Sequence, residues 1–128
     1  MLVNVFTYGT LQVDTVMHAV TGRQFPSKPA TLRGYRCQLV KKCVYPAIIQ
    51  DPKTVTDGTL YFNVDEASLD ALDEFENVIY DRLEVQVESE NKLISAYAYV
   101  INVHYENRMS NHEWSLEEFK QKHLATYL

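Results

Sequence analysis

Glu76 is the residue of this sequence whose setting most favours proton-transfer chemistry. It stands seven positions after Leu69, with Leu72 between them at helical spacing. It therefore falls on or beside the stripe that an amphipathic helix turns inward. A carboxylate there loses hydration, and the C-terminal end of a helix disfavours negative charge as well. Both effects raise a carboxyl pKa toward neutrality, the range in which a general base works best. The same spacing is met with Phe75 inward and Glu76 at the solvent fringe, and periodicity does not choose between the two.

Tyr8-Gly9-Thr10-Leu11 is the second candidate. A glycine directly after a buried strand makes a turn whose backbone N–H groups are left unpaired and able to hold a small anion. One glycine is neither a Walker loop nor a dinucleotide fingerprint, and a plain strand-ending turn reads the same way. Tyr80 and Arg82 follow Glu76 at short range. Arg82 lies on the polar face of its segment and is placed to pair with a carboxylate, either Glu76 or one on a substrate; a structural ion pair satisfies it equally. Tyr45-Pro46 reads as a kink at a strand edge.

Other chemistries lack their signatures. His18, His104, His112 and His123 show no metal-ligand spacing, and there is no HExxH, Cys/His cluster or GxSxG elbow. Cys37 and Cys43 form no CxxC pair and are expected to be free thiols in a reducing compartment. The expectation is a site with no metal and no cofactor.

The elements that must position these residues follow from pattern. Residues 3–8 are apolar on both faces and predict a buried central strand. Asp14 and Gly22 are placed to cap and end a short helix. Residues 23–31, with Pro26 and Pro29, predict a surface loop. Residues 32–40, 44–50 and 59–64 read as strands, with residues 51–58 as a turn. A helix is predicted from an Asp65 cap, with Val64 and Leu69 as its hydrophobic staple, to Phe75 or Glu76. In residues 82–88, Leu83, Val85 and Val87 alternate with charged and amide side chains, and residues 93–103 form a longer strand. Ser115 and Glu118 make a capping box, with Trp114 and Phe119 as a staple, for a closing helix. Runs of strands with sparse helices predict an α+β fold: a mixed, barrel-like β-sheet flanked by short helices.

The chain has 128 residues, 46% of them hydrophobic and 23% charged, which predicts a single domain over residues 1–128 with a real core. Formal net charge is −5, and Lys41-Lys42 is the one basic doublet, so no stripe for nucleic acid is present. There is no basic segment leading into an apolar one at the N-terminus, and no apolar run approaches the ~20 residues of a membrane span. The expectation is a soluble, cytoplasmic protein without nucleic-acid or membrane partners, monomeric or a weak homodimer. Its nine tyrosines include candidates for lining a polar cavity.

Taken in order, these segments resemble the gamma-glutamylcyclotransferase-like family. Val5-Phe6-Thr7-Tyr8-Gly9-Thr10-Leu11 is similar to its opening strand and substrate loop. Leu32-x-Gly34-Tyr35, Tyr45-Pro46-Ala47-Ile48 and Gly58-x-Leu60-Tyr61 are similar to its middle strands. Leu72-Asp73-x-Phe75-Glu76 with Tyr80-x-Arg82 is similar to the segment carrying its catalytic glutamate. Ala96-x-Ala98-Tyr99-Val100 and Trp114 with Phe119 complete the match, which covers nearly the whole chain. It looks closest to the plant avirulence-induced-gene branch and its microbial relatives. The resemblance implies a barrel-like fold with a cavity, and release of a gamma-glutamyl group as 5-oxoproline with freeing of the amine it was attached to. It assigns proton transfer to Glu76 and the glutamyl contacts to Tyr8, Gly9, Thr10 and Leu11; Tyr80 and Arg82 are expected to shape or support the pocket as further substrate-binding residues. The alternative is a non-catalytic module of the same fold that binds a small carboxylate.

Overall fold

Val5 and Phe6 are both fully buried, and they feed two different cores. Their strand, β1 (Leu2–Thr7), is therefore interior on both faces, as its lack of polar alternation predicts. The computed structural model describes residues 1–76 and 78–127. After β1 come a 3₁₀ turn (Thr10–Gln12), α1 (Asp14–Thr21), β2 (Ser27–Leu39), β3 (Pro46–Asp65), α2 (Glu66–Phe75), β4 (Tyr80–Ser89) and β5 (Lys92–Ile101). A 3₁₀ segment (Val103–Arg108), α3 (Leu116–Lys122) and α4 (Leu124–Tyr127) follow.

The strands close into a barrel in the order β1-β3-β2-β4-β5. β3 pairs antiparallel with β1 and β2, and β4 antiparallel with β5. Closure comes from β1 lying parallel to β5 at Val5↔Tyr97. On the opposite side β2 meets β4 at Thr31↔Glu88. The expected mixed, barrel-like α+β fold is the observed one. Phe6, Leu32, Ile48, Leu60 and Val87 fill the barrel around the small side chains of Ala96 and Ala98. Val5, Val64, Leu72 and Phe119 pack the helices onto its outside.

Local capping follows the sequence in two places. Asp65 accepts from the Ser68 N–H at 3.2 Å and from its hydroxyl at 2.6 Å. Ser115 accepts from the Glu118 N–H at 3.2 Å, and the Trp114 and Phe119 rings lie 5.9 Å apart. Gly22 ends α1 with φ 73°, the left-handed geometry glycine favours, but Asp14 is the first helical residue and the cap position belongs to Val13.

Three expectations are corrected. Residues 27–31 are not loop: β2 begins at Ser27, and Pro29 pairs with Thr59. Proline is tolerated because β4 meets β2 at a single pair, leaving no full ladder on that flank for it to break. Residues 51–58 do not separate two strands. Register jumps from Tyr35↔Gln50 to Arg33↔Val55, so residues 51–54 bulge opposite Gly34, whose φ is +86°, and the strand continues. The turn chemistry is real but local: Asp51 accepts from the Lys53 N–H, and the Thr54 hydroxyl donates to the Asp51 carbonyl. In β4 the alternation holds at Val85 and Val87 but fails at Leu83, which is exposed.

Gly58 explains how β1 reaches its place. A Cβ there would stand 2.2 Å from the Thr7 carbonyl oxygen and 2.7 Å from Cζ of Phe6. Only glycine lets β3 press against the end of β1, and that end leads directly into the candidate loop. Among the described residues, no helix is long and apolar enough to cross a membrane.

Candidate active site

The end of β1 and the end of α2 meet at one cavity. It encloses about 500 Å³ counted out to its open mouth, and its wall includes Tyr8, Gly9, Thr10, Leu11, Glu76 and Tyr80. Six of the seven sequence-nominated site residues are therefore neighbours around one space.

Glu76 reaches the wall by a break in the helix. α2 ends at Phe75, and Glu76 takes extended backbone angles, φ −72° and ψ 141°, while its N–H still bonds the Leu72 carbonyl at 3.0 Å. Phe75 and Glu76 both line the cavity, so the choice that periodicity leaves open does not arise. Burial pushes the Glu76 carboxyl up to about 7. Among the described residues no hydrogen bond or ion pair holds its charged form.

Gly9 is required by space. A Cβ would sit 2.9 Å from Cγ of Pro46. Its carbonyl accepts from the Gln12 N–H at 3.1 Å, starting the 3₁₀ turn. Among the described residues, the N–H groups of Gly9, Thr10 and Leu11 have no backbone acceptor, as the first N–H groups of any helical turn do not. Three donors on the cavity's loop are thus uncommitted.

The tyrosine hydroxyls, by contrast, are committed to the frame. Tyr8 donates to the Tyr99 carbonyl at 2.5 Å, Tyr80 to the Pro46 carbonyl at 2.6 Å, and Tyr61 to the Leu11 carbonyl at 2.8 Å. The Tyr8 and Tyr80 bonds each tie one part of the wall to another, and Tyr61, which is not on the wall, anchors Leu11, which is. Burial, then the charges of Tyr80 and Glu76, holds the Tyr8 phenol well above its ordinary pKa, so it stays a neutral donor. The Tyr99 phenol is raised too, by burial first and then by its hydrogen bond to Asp73 at 2.6 Å.

Arg82 is the residue whose placement differs from expectation. It is not on the cavity wall. Its guanidinium lies 3.5 Å from Asp73 and 4.8 Å above the Tyr97 ring. The reason is strand geometry: Tyr80 and Arg82 share a face of β4, but Asp73, one turn before Glu76, intercepts the cation. Arg82 thus reaches the site only through Asp73 and Tyr99. Tyr99, Asp73, Tyr45 and Pro46 were not nominated for chemistry by pattern. The signal that sequence offers for Tyr99, a bulky phenol among alanines and valines in β5, is shared by Tyr97, which is not on the wall. The described residues contain no group of three His, Cys, Asp or Glu side chains placed to hold a metal ion.

Comparison with known proteins agrees with this architecture. A family model, "Gamma-glutamyl cyclotransferase, AIG2-like", matches residues 5–116. AIG2-like protein D of Arabidopsis thaliana is 33% identical over 128 residues, covering 98% of this chain and 84% of that protein. The solution structure of an Arabidopsis thaliana protein superposes with a TM-score of 0.78 at 27% identity, covering 99% of this chain and 78% of the other. The structure of a gamma-glutamyl cyclotransferase gives a TM-score of 0.68 at 19% identity, covering 80% and 68%, a likeness of fold. The chain belongs to the gamma-glutamyl cyclotransferase, AIG2-like family.

Proposed function

We propose that this chain is a gamma-glutamyl cyclotransferase that releases 5-oxoproline and a free amine from a small gamma-glutamyl compound, with Glu76 as base and then acid. One observation carries the reading: a carboxyl group with a pKa of about 7 opens on the same cavity as a loop with uncommitted N–H groups.

The chemistry needs no protein nucleophile. Glu76 takes a proton from the substrate's α-ammonium, which is mostly protonated near neutral pH. The freed amine attacks the γ-carbonyl carbon, forming the C–N bond of a five-membered ring and a tetrahedral oxyanion. As that oxyanion collapses, the original γ-amide C–N bond breaks and the protonated Glu76 delivers its proton to the departing nitrogen. The ring nitrogen gives up its second proton to solvent, and the released amine takes one up, so the account balances. Ring closure is intramolecular, and the site need only hold the reactive conformer. The N–H groups of Gly9, Thr10 and Leu11 are suited to the substrate carboxylate or the oxyanion. The four tyrosines on the wall, Tyr8, Tyr45, Tyr80 and Tyr99, shape the space.

The test is 5-oxoproline release from a panel of gamma-glutamyl amines, amino acids and peptides. The expected result is turnover of at least one member by the wild type and loss of it in Glu76→Gln. A ligand bound tightly and recovered unchanged across the panel would instead make the chain a binding module of this fold.

A further inference from the structure

Three phenols on the cavity wall give their hydroxyl protons to acceptors other than Glu76. Tyr8 after β1, Tyr80 in β4 and Tyr99 in β5 line the space with Glu76, together with Tyr45 ahead of β3. Tyr8 donates to the Tyr99 carbonyl, Tyr80 to the Pro46 carbonyl and Tyr99 to Oδ1 of Asp73. The first two acceptors are backbone. The third is a side chain, so a substitution can remove it. We propose that Asp73 is a positioning residue for Glu76: by holding the Tyr99 hydroxyl it keeps that donor off the Glu76 carboxylate, which is left free to take a proton. This role rests on the cyclotransferase reading, whose proton transfer it serves.

The spacing comes from the helix. Asp73 stands three residues before Glu76 in the last turn of α2, and the Glu76 N–H still bonds the Leu72 carbonyl at 3.0 Å. Residues at this spacing have Cβ atoms roughly 5–6 Å apart. The Tyr99 hydroxyl, 2.6 Å from Asp73, is thus held within about one helical turn of Glu76. The Tyr99 phenol also feels the Glu76 charge, after burial and Asp73, as the Tyr8 phenol does after burial and Tyr80. Arg82 steadies the arrangement from outside, its Nε 3.5 Å from the same Oδ1 of Asp73. Among the described residues, no lysine, arginine, histidine or second carboxylate lines the cavity.

A hydroxyl donated to Glu76 would favour its charged form and make it a weaker base. With Tyr99 held by Asp73, burial raises the Glu76 carboxyl to about 7 without that opposition. A buried hydroxyl that loses its acceptor turns to another, and Glu76 is the one anionic side chain on this wall among the described residues.

Carboxyl-detected NMR titration of the full chain tests this, with the Glu76 signal assigned by its loss in Glu76→Gln. In wild type the Glu76 midpoint should lie near 7. In Asp73→Ala, and in Asp73→Leu as a second variant without the acceptor, it should fall to about 6 or below, a tenfold stronger acid. Asp73→Ala combined with Tyr99→Phe should return it to the wild-type value. Asp73→Asn, which loses the charge but keeps an oxygen for Tyr99, and Arg82→Ala should each leave it within about 0.5 of wild type. Retained amide dispersion shows that each variant has folded. A midpoint unmoved in Asp73→Ala and Asp73→Leu overturns the proposal. So does a fall that persists in the double variant, or an equal fall in Asp73→Asn, since either assigns the effect to charge and not to the held hydroxyl. Release of 5-oxoproline separates this role from the reading it serves. Turnover with an unmoved midpoint overturns the role of Asp73 alone, whereas the expected midpoints without turnover of any gamma-glutamyl compound overturn the cyclotransferase reading.

Discussion

Gly9 and Pro46 approach so closely that a Cβ on residue 9 would lie 2.9 Å from Cγ and 3.0 Å from Cδ of the proline. Pro46 cannot easily yield, because its carbonyl is held by the Tyr80 hydroxyl. Gly9→Ala should therefore push the loop away from the cavity wall. The expected outcome is a stability loss of about 1–3 kcal/mol by denaturant unfolding, with 5-oxoproline release falling further than that loss explains.

Glu76 should weaken the fold as it ionises. Its folded pKa, about 7, lies above the unfolded value of 4.5, so the folded state binds the proton more tightly. The stability this confers is fully present below about pH 4.5 and is lost as pH rises through about 7. The full shift corresponds to roughly 3 kcal/mol at most. Chemical unfolding across this window should show wild type losing stability relative to Glu76→Gln, with the variant the more stable above about pH 8.

Gly58→Ala should be the most damaging single methyl in the barrel. The added atom would overlap the Thr7 carbonyl oxygen at 2.2 Å, and backbone gives way less readily than a side-chain tip. A loss of roughly 3 kcal/mol or more is expected in thermal or denaturant unfolding.

Arg82→Ala should be mild. The guanidinium meets Asp73 and the Tyr97 ring in a partly exposed setting, worth about 1 kcal/mol in all. KM for a gamma-glutamyl substrate should stay within about twofold of wild type, whereas a substrate-binding arginine would raise it tenfold or more. A rise of that size would return Arg82 to the site.

The readable part of this protein was local and periodic. The interior placement of Val5 and Phe6, the Asp65 and Ser115 caps, and the Gly22 stop all follow from residue type and short-range spacing. Helical spacing brings Glu76 forward without choosing it over Phe75, and the feature that brings it to the cavity is the end of the helix at Phe75. The hidden part lies in register between distant segments. Pro29 looks like a loop residue until β3 pairs with it, and residues 51–54 look like a strand break until Gly34 absorbs the bulge. Likewise, nothing near Arg82 in sequence reveals that Asp73 and Tyr97 will claim it. The Gly9 and Gly58 requirements are of the same kind, each set by an atom far along the chain rather than by backbone angle.

The most direct test is the pH dependence of kcat/KM for 5-oxoproline release, measured for wild type and Glu76→Gln on the same gamma-glutamyl substrate. Wild type should show a rising limb with an apparent pKa near 7, and the variant should lose roughly a hundredfold or more together with that limb. A variant that keeps the wild-type rate and the same limb would contradict the assignment of proton transfer to this carboxylate.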